Sequence, residues 1–364
     1  MTEFVRRYGA VMTGYILLAC GLWIFVMIVI PQGMVTYYTS WYIDRNYTGK
    51  LTRQIDEMYA ELDKVDAAIA KLEREIAAAG ASAKAELKRK LSEATRRQKE
   101  IEEALPPLEA EWSASRTRRT YSWRNYEYLI TNADHRAVFL KTIWASVLVT
   151  GLALIFCYPI AYYLAKVAAA EKAAILMLGL IIPYWVNELL RVFAWQMILS
   201  GRGVLNLVLS LFGLVDLDSI DPPPPNYLGD TGVMLGMIYA YILFMVFPLY
   251  NVMETLDKNQ IEAARDLGAP WIEIHRHVVI PHAKPGIAVG CIMTFMLAAG
   301  SYAVPMALSG GRSQWFTQII YTWTNDTLDL NLGATYALVL LVLCIVFILI
   351  MMRLTGVSLR DIAK

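Results

Sequence analysis

The sequence lacks the motifs of the common nucleotide-binding and hydrolytic sites. Its 364 residues contain no G-x-x-x-x-G-K-[ST] phosphate loop, no H-E-x-x-H zinc motif and no G-x-S-x-G nucleophile turn. The net charge is only +1, so its charge balance gives no general attraction to nucleic acid. These absences argue against ATP binding through a phosphate loop in this chain and make a membrane enzyme the weaker class of explanation.

Cysteine and histidine are also scarce, and their placement argues against metal and redox sites. His275 and His277 flank Arg276, but a zinc site needs three or four protein ligands. The cysteines share no C-x-x-C spacing and all fall in apolar runs, so we expect no disulfide framework. We expect no metal and no cofactor in this chain. The cysteines are Cys20, Cys157, Cys291 and Cys344.

Apolar residues, in contrast, are abundant and occur in long runs. They make up 57% of the chain, and the mean hydropathy of +0.42 is too high for a soluble domain of this size. The first run has no small-residue cleavage site after it, so we expect an uncleaved helix. Since a span needs about 20 mostly apolar residues, the sequence predicts an all-α, polytopic membrane protein with about six transmembrane helices. The predicted spans are 11–31, 137–164, 173–199, 232–252, 285–308 and 332–352.

Lys and Arg in the short loops predict the orientation. They concentrate in alternate loops, and the opposite short loops contain little beyond Arg202 and Arg312. Because cytoplasmic loops carry an excess of basic residues, we expect both termini in the cytoplasm and the long segment 32–136 outside. The basic set comprises Arg6, Arg7, Lys166, Lys172, Lys258, Arg265, Arg276, Lys284, Arg353, Arg360 and Lys364.

Within the outer segment, two apolar stripes predict an extramembrane antiparallel coiled-coil hairpin over about 50–113. The steps of the first stripe alternate between four and three residues, which is a heptad pattern. A turn is expected within 77–82, and Pro106-Pro107 is expected to end the second helix. Each arm would be roughly 35 Å long. The stripes are Leu51, Ile55, Met58, Leu62, Val65, Ile69, Leu72 and Ile76, then Leu87, Leu91, Ala94, Gln98, Ile101 and Leu105.

The cytoplasmic loop at about 253–284 predicts two short helices set at an angle. Asn259 to Leu267 is an amphipathic stretch, and Gly268 allows a left-handed turn after it. Pro270 suits the first turn of a second helix, and Pro281 is expected to stop that helix before the next span. Such an element suits docking into a groove of a partner protein.

This loop resembles the signature of ABC importer permeases of type I, which reads E-A-A, three residues, G, nine residues, then aliphatic-x-aliphatic-P. The resemblance implies a coupling helix that inserts into a separate ATPase subunit, which would bind the ATP and Mg²⁺. It implies alternating-access import of a solute delivered by a periplasmic binding protein. The expected coupling residues are Glu262, Ala263, Ala264, Asp266, Gly268, Pro270 and Pro281, with Val278 and Ile280 completing the pattern.

Five further stretches carry a second resemblance: Tyr158–Ala165, Pro183–Asn187, Arg191–Trp195, the Gly203–Leu214 loop, and Gly300–Pro305 with Gly310-Gly311. On these stretches the chain, from about residue 137 onward, looks most like the spermidine/putrescine-type permeases. The apolar runs divide the chain into an N-terminal span (1–31), a periplasmic insertion (32–136) and a permease core of five spans (137–364). The resemblance implies a location in the bacterial inner membrane. It also implies a second permease subunit forming a heterodimer, and two ATPase subunits. Two departures concern the substrate assignment, since relatives often carry an acid at Ser301 and Trp-Pro at Asn331-Leu332. The hairpin insertion is atypical of the subfamily.

The third predicted span carries a candidate substrate path. A charge near the centre of a span costs about 2.5–3.5 kcal/mol, so Glu188 and Arg191 should face protein or water. Their spacing permits a mutual ion pair with no transport role. Alternatively, aromatic faces and one carboxylate would suit an organic cation such as a polyamine, whereas Arg191 would favour an anion. The candidate path comprises Tyr184, Trp185, Asn187, Glu188, Arg191, Trp195 and Tyr302.

Three function classes follow from the sequence. The first is a permease subunit of an ABC importer, which is not itself an enzyme. The second is a membrane-anchored structural or signalling protein that acts through its coiled coil. The third is a carrier or channel independent of ATP. For the hairpin we expect contact with the binding protein or another envelope partner, with a passive insertion as the alternative.

Overall fold

The computed structural model describes residues 9–78, 84–219 and 223–357. They form two compact units, which we call the membrane unit (up to Thr36 and from Tyr126 onward) and the hairpin unit (Tyr37–Asn125). Nearly all elements are helical, which confirms the predicted fold class. The orientation residues Arg6, Arg7, Arg360 and Lys364 and the predicted turn at 79–82 lie outside the described residues.

Six helical segments are long and apolar enough to cross a bilayer, as the sequence predicts. Shorter helices connect or extend them: α4 (Arg124–Thr131), α6 (Ala170–Ile181), α8 (Val204–Leu211), α10 (Lys258–Asp266), α12 (Ala303–Leu308) and α13 (Phe316–Tyr321). The candidate spans are α1 (Val11–Thr39), α5 (Ala133–Val167), α7 with α8 (Glu188–Leu211), α9 (Asp230–Glu254), α11 (Trp271–Gly300) and α14 (Leu330–Thr355).

The third span differs from the predicted continuous helix over 173–199. After α6, a 3₁₀ turn (Ile182–Trp185) leads into an extended Val186, and α7 (Glu188–Leu199) starts anew. Pro183 explains the break, since proline removes a backbone donor and disfavours helix at the residue before it. A second break after Leu199 precedes α8 (Val204–Leu211). The prediction was therefore wrong about continuity, and Glu188 lies at a helix start.

The fifth span also differs from its prediction. Helix α11 runs through Pro281 and on to Gly300, so the expectation that Pro281 stops a helix was wrong. Residues His275–Val279, just before Pro281, form a π-helical turn in which the Ile280 N–H bonds to the His275 carbonyl. This i to i+5 hydrogen bond widens the helix at the proline. Helix α11 ends at Gly300, and α12 is a separate short helix rather than the end of the span.

The hairpin unit consists of α2 (Arg45–Ala78) and α3 (Lys84–Thr117), with a two-stranded ribbon of β1 (Trp41–Tyr42) and β2 (Thr120–Tyr121). The sequence predicted neither the ribbon nor the full helix lengths. Each helix has 34 residues, about 51 Å at 1.5 Å per residue rather than 35 Å. Helix α3 continues through Pro106 and Pro107, so they do not end it.

Side-chain contacts between α2 and α3 show an antiparallel arrangement. The Arg97 guanidinium bonds to Glu61 at 2.7 Å, and the Trp112 indole donates to Thr52 at 2.9 Å near the other end. Gln98, the polar residue of the second stripe, donates to Asp66 at 3.0 Å. The apolar stripes face each other, but most of their side chains are only half-buried because two helices cannot enclose a seam.

The core of the membrane unit forms where α5, α9 and α11 pack together. Close approach of α9 and α11 depends on glycine. A Cβ at Gly286 would lie 2.5 Å from the Pro248 carbonyl oxygen, and one at Gly290 would lie 2.8 Å from the Met245 sulfur. Small residues at helix crossings let backbones approach closely in membranes, where packing rather than hydrophobicity drives association.

Candidate functional site

The predicted coupling loop forms a capped helix followed by a tight turn. The Asp257 carboxylate accepts a hydrogen bond from the Asn259 N–H and caps α10. At the other end, the Gly268 N–H bonds to the Arg265 carbonyl at 2.9 Å and the Ala269 N–H to the Ala264 carbonyl at 3.1 Å. These two bonds define a Schellman motif, and its left-handed position is occupied by Gly268 with a φ of 81°.

The outer face of this loop is exposed and apolar at its centre. Leu267 is 88% exposed, and Ile272 and Trp271 are 71% and 66% exposed. Of the predicted coupling residues, Glu262, Ala263, Asp266, Gly268 and Pro270 are exposed as well, whereas Ala264 is half-buried. Three large apolar side chains side by side on a turn, rimmed by carboxylates, are typical of a surface that binds another protein.

The inner face of the loop is anchored in the core of the membrane unit. Ile261 and Ile274 are buried against residues of α5 and α9. The buried His275 ring accepts or donates a 2.7 Å hydrogen bond with the Tyr158 hydroxyl of α5 and contacts the ring of Tyr162. The loop is therefore in direct contact with α5 through the buried His275 ring.

Sequence reasoning missed this anchor. His275 was considered only as a metal ligand, and in the parts of the chain that the structure describes no group of three His, Cys, Asp or Glu could hold a metal ion. Lys166 was assigned only to the orientation pattern, but its ammonium donates to the Glu254 and Leu256 carbonyls at the end of α9. The signal for His275 was its apolar neighbourhood, since an imidazole among aliphatic residues needs a partner.

The break in the third span is held by side-chain hydrogen bonds. The Asn187 side chain accepts from the Leu189 N–H and caps α7. The Tyr184 hydroxyl donates towards the Ala240 carbonyl at 2.8 Å and accepts from the Leu243 N–H at 3.2 Å, so it is fixed against α9. Irregular backbone at membrane depth occurs where protein or a water-filled cavity surrounds it.

Arg191 and Glu188 do not pair as their spacing allowed. No salt bridge joins them in the described chain, and the Arg191 guanidinium instead lies 4.3 Å above the Tyr184 ring. The Nε and Nη1 atoms of Arg191 are buried and have no hydrogen-bond partner among the described residues. Glu188 is exposed, and the neighbouring Trp185 is 82% exposed. The break thus presents one accessible carboxylate and one partly buried cation.

The remaining predicted path residues lie elsewhere. The Trp195 ring packs on Tyr239 of α9 at 5.4 Å between centroids. Tyr302 stacks on Tyr321 at 4.7 Å and lines a cavity of about 510 Å³ with residues of α1, α13 and α14, none of them from the helix break. Burial, and then the neighbouring Tyr321, raise the pKa of Tyr302, so its hydroxyl stays neutral at physiological pH.

A polar cluster that the sequence did not indicate joins three elements of the membrane unit. The Lys141 ammonium of α5 donates to the Ser313 hydroxyl at 2.7 Å and to the Asp230 carboxylate of α9 at 3.2 Å. It also lies 5.5 Å from the centre of the buried Trp315 ring. This contact attaches the loop after α12 to the third turn of α5 and the first turn of α9.

Comparison with known proteins identifies the architecture. The family described as binding-protein-dependent transport system inner membrane component matches residues 174–363. The spermidine/putrescine transport system permease protein PotB of Escherichia coli (strain K12) is 30% identical over 240 residues, covering 66% of this chain and 85% of that protein. The inner membrane ABC transporter permease protein YdcU of the same organism is 29% identical, covering 62% and 76%.

Solved structures agree at the level of the fold. A bacterial ABC transporter involved in the import of the acidic polysaccharide alginate has a chain that superposes with a TM-score of 0.52 at 16% identity, covering 72% of this chain and 91% of that one. Together with the six apolar helices and the family match over more than half of the chain, this confirms the resemblance inferred from the loop at 262–281. The chain belongs to the family of binding-protein-dependent inner membrane components and is a multi-pass permease subunit of an ABC importer.

Proposed function

We propose that this permease imports a polyamine or a related small organic cation, and that its loop at 257–281 couples the movement to a separate ATPase. The coupling part rests on one observation above all, the exposed apolar face of Leu267, Trp271 and Ile272 on a loop whose inner face is anchored to α5. An amphipathic helix with such a face suits a groove in a partner.

The assembly that fits this proposal contains two permeases, two ATPase subunits that bind ATP and Mg²⁺, and a periplasmic binding protein. We infer a heterodimer of permeases, with both termini and the coupling loop in the cytoplasm. The described basic residues Lys166, Lys258, Arg265, Arg276 and Arg353 support this orientation, because all of them lie on loops or helix ends of one side.

The cation proposal rests on the chemistry around the break in the third span, together with the names of the similar permeases. Glu188 is an exposed carboxylate at the first turn of α7, and the highly exposed Trp185 precedes it by three residues. A carboxylate and an aromatic face together attract an ammonium group by charge and by cation–π interaction.

A second candidate substrate, an organic anion or a zwitterion, is favoured by Arg191. Its two buried donors lack an acceptor among the described residues, and a buried guanidinium without a hydrogen-bonded partner is costly. A carboxylate or phosphate group of the solute would satisfy these donors with bidentate geometry. The two candidates differ in which charge of the break binds the solute.

Substitution of the two charges distinguishes the candidates. For a cation, Glu188→Gln should raise the solute concentration for half-maximal uptake by about tenfold, since a charged hydrogen bond contributes about 1.5–3 kcal/mol, and Arg191→Gln should have a small effect. For an anion, the pattern is reversed. The measurement is uptake into vesicles containing the reconstituted complex, with polyamines and organic anions each delivered by a matching binding protein.

Arg202→Gln in the outer loop serves as the matched control for removal of a positive charge. If wild type, Glu188→Gln and Arg191→Gln take up every solute equally, the helix break is not a solute contact. Stimulation of the ATPase only by anion-loaded binding protein would reject the cation proposal, while leaving the importer assignment untouched.

For the hairpin, we propose that the distal arms contact the binding protein or another envelope partner. The arms carry exposed charges of both signs, including five ion pairs at i, i+4 or i, i+3 that fix side chains on the surface. The side chains of the two apolar stripes are mostly half-buried, so part of their apolar surface is exposed beside those charges. Such a mixed surface suits a reversible protein contact.

Shortening the arms tests this proposal. Residues that face each other across the hairpin have residue numbers whose sum is about 163; Thr52 faces Trp112, and Thr48 faces Ser115. Residues 59 and 104 obey the same rule. Replacement of residues 59–104 by a short Gly/Ser turn therefore keeps the remaining pairs at the base in register. We expect normal complex assembly with weaker binding-protein affinity, measured separately by copurification and by titration. Unchanged affinity would support a passive insertion, and failed assembly would indicate a structural brace.

A further inference from the structure

The base of the hairpin combines arginines and aromatic rings around the small ribbon. Arg119 bonds to the Tyr37 hydroxyl and lies 4.9 Å from the centre of the Trp41 ring, and Arg116 lies 4.9 Å from the Trp112 ring. We call this surface the arginine–aromatic base. Its exposed residues are Arg116, Arg118, Arg119, Arg124, Tyr37, Tyr121 and Trp123, while Tyr42 and Trp112 are half-buried and Trp41 is buried.

The positive charge of this base exceeds the negative charge around it. Among the described residues, Arg124 has an ion pair with Asp44 at 3.8 Å, whereas Arg116 and Arg118 have none. The nearest carboxylates on the arms accept from tyrosine hydroxyls instead, Glu111 from Tyr47 and Glu109 from Tyr59. The side chains of Arg116 and Arg118 are exposed and have no ion pair among the described residues, so an anion can reach their donors.

The base follows α1 directly in the chain, and α1 is long enough to cross a bilayer together with its headgroups. Helix α1 has 29 residues, which at 1.5 Å per residue is about 43 Å, and a bilayer with its headgroups is about 40–45 Å thick. Its last residue, Thr39, is tied to the ribbon because the buried Asn125 amide donates to the Thr39 and Trp41 carbonyls. The second span starts only a few residues after Asn125, at Ala133.

The aromatic residues of the base have the composition of a membrane interface. Trp123 is 79% exposed and Tyr121 is 66% exposed, although both are large rings. Trp and Tyr are enriched where a span meets the headgroups, because their rings are apolar and their N–H or O–H groups are polar. Arginine beside them is suited to phosphate, which it binds through two parallel N–H donors.

We propose that the arginine–aromatic base is a binding site for anionic phospholipid headgroups, in the leaflet that α1 reaches at Thr39. Arg116 and Arg118 bind the headgroup phosphates, and Trp123 and Tyr121 insert at the interface. The site fixes the root of the hairpin on the membrane surface. This proposal is independent of the solute that the permease carries and of the partner that its distal arms contact.

A fluorescent label next to the base tests the proposal. Cys20 is the exposed cysteine of the described chain and the other three are buried, so the full chain is prepared with Cys20→Ala and Ser122→Cys and labelled with bimane. It is reconstituted in nanodiscs of phosphatidylcholine and phosphatidylglycerol at equal mole fractions, with bromine on one lipid or the other. Quenching by each lipid reports its local enrichment.

We expect brominated phosphatidylglycerol to quench this label at least about threefold more than brominated phosphatidylcholine, since an anionic surface attracts each nearby basic residue by about 1 kcal/mol, or about fivefold. Arg116→Gln with Arg118→Gln should reduce the ratio to about one, and Arg116→Lys with Arg118→Lys should keep most of it. Arg89→Gln with Lys90→Gln, the matched change on the arm, should leave it unchanged.

A second label position separates membrane contact from labelling artefacts. Ser92 lies exposed on the distal part of α3, so a bimane at Ser92→Cys should be quenched by neither lipid. Equal quenching of the Ser122 label by both lipids would overturn the anionic site. Absence of quenching there by either lipid would mean that the base lies away from the bilayer, and this result would also overturn the proposal.

Discussion

Replacement of Gly268 by tryptophan is expected to reduce uptake by at least about tenfold, while the chain still inserts and accumulates normally. Gly268 has a φ of 81° at the end of α10, where an L-residue with a Cβ costs about 1–2 kcal/mol. The space around it is open, since a Cβ at this position would meet no atom within 4 Å. The indole would lie beside Leu267 on the exposed face, where it would prevent a fitted partner surface from closing. The measurement is uptake by the assembled transporter, with expression determined in parallel.

The chain offers a closely matched control at Gly213. This glycine ends α8 with the same Schellman motif, since the Gly213 N–H bonds to the Ser210 carbonyl and the Leu214 N–H to the Leu209 carbonyl, both at 3.0 Å. Its φ is 70°, and its surroundings are equally open. Gly213→Trp therefore repeats the backbone strain without the docking surface. If Gly213→Trp and Gly268→Trp reduce uptake equally, strain explains the loss and the coupling role of Gly268 is wrong. Copurification of the ATPase with each variant shows whether docking itself has failed.

The spans and the coupling loop were predictable because both depend on local sequence. A run of about 20 apolar residues is sufficient for a span, and the two ends of α10 follow from Asp257 and Gly268 through capping rules. The glycine turn and the exposure of the loop could be read without knowledge of the tertiary structure. The roles assigned to these residues in coupling stay predictions.

The predictions from sequence failed at the prolines. One proline interrupts a helix that was predicted to be continuous, and three prolines do not end the helices that they were predicted to end. Pro183 does interrupt the third span, although a continuous helix was predicted there. Pro106, Pro107 and Pro281 were expected to end helices and do not. In α3 the carbonyls that lose their donors belong to the exposed Glu102 and Glu103, where water can replace them, and the flanking Ile101 and Leu105 are only 5% and 6% exposed. Burial on the opposite face of the helix outweighs the lost hydrogen bonds.

The candidate substrate path shows a different limit. The spacing of Glu188 and Arg191 suggested a pair on one continuous helix, but the helix starts at Glu188 and the guanidinium lies over Tyr184 on the other side of the break. Tyr302 was predicted to belong to the same path, yet it stacks on Tyr321 in a separate cavity. Contacts across a break or between distant helices depend on tertiary packing, which no local pattern encodes.

Replacement of Gly286 by alanine is expected to lower the melting temperature of the purified chain. Its Cβ would lie 2.5 Å from the Pro248 carbonyl oxygen and 3.1 Å from the Val252 Cβ, both on α9. The nearest of these atoms belongs to the backbone of a helix that also packs on α5, so it cannot rotate away as a flexible side chain could. Overpacking of this kind costs about 1–3 kcal/mol, and Pro248 removes a helical donor here and leaves its neighbourhood with little spare stability. The measurement is the temperature at which the purified chain loses its monodisperse elution in detergent.

Gly151→Ala in α5 provides the comparison that isolates packing from backbone propensity. Gly151 is also in the middle of a candidate span, but a Cβ there would meet no atom within 4 Å. Alanine is favoured over glycine in a helix by about 0.5–1 kcal/mol, so this variant should be as stable as the wild type or slightly more stable. Equal melting temperatures for Gly286→Ala and Gly151→Ala would contradict the close α9–α11 contact. A loss confined to Gly286→Ala would instead establish that the backbones of these two spans touch, which is the packing on which the buried core of the permease depends.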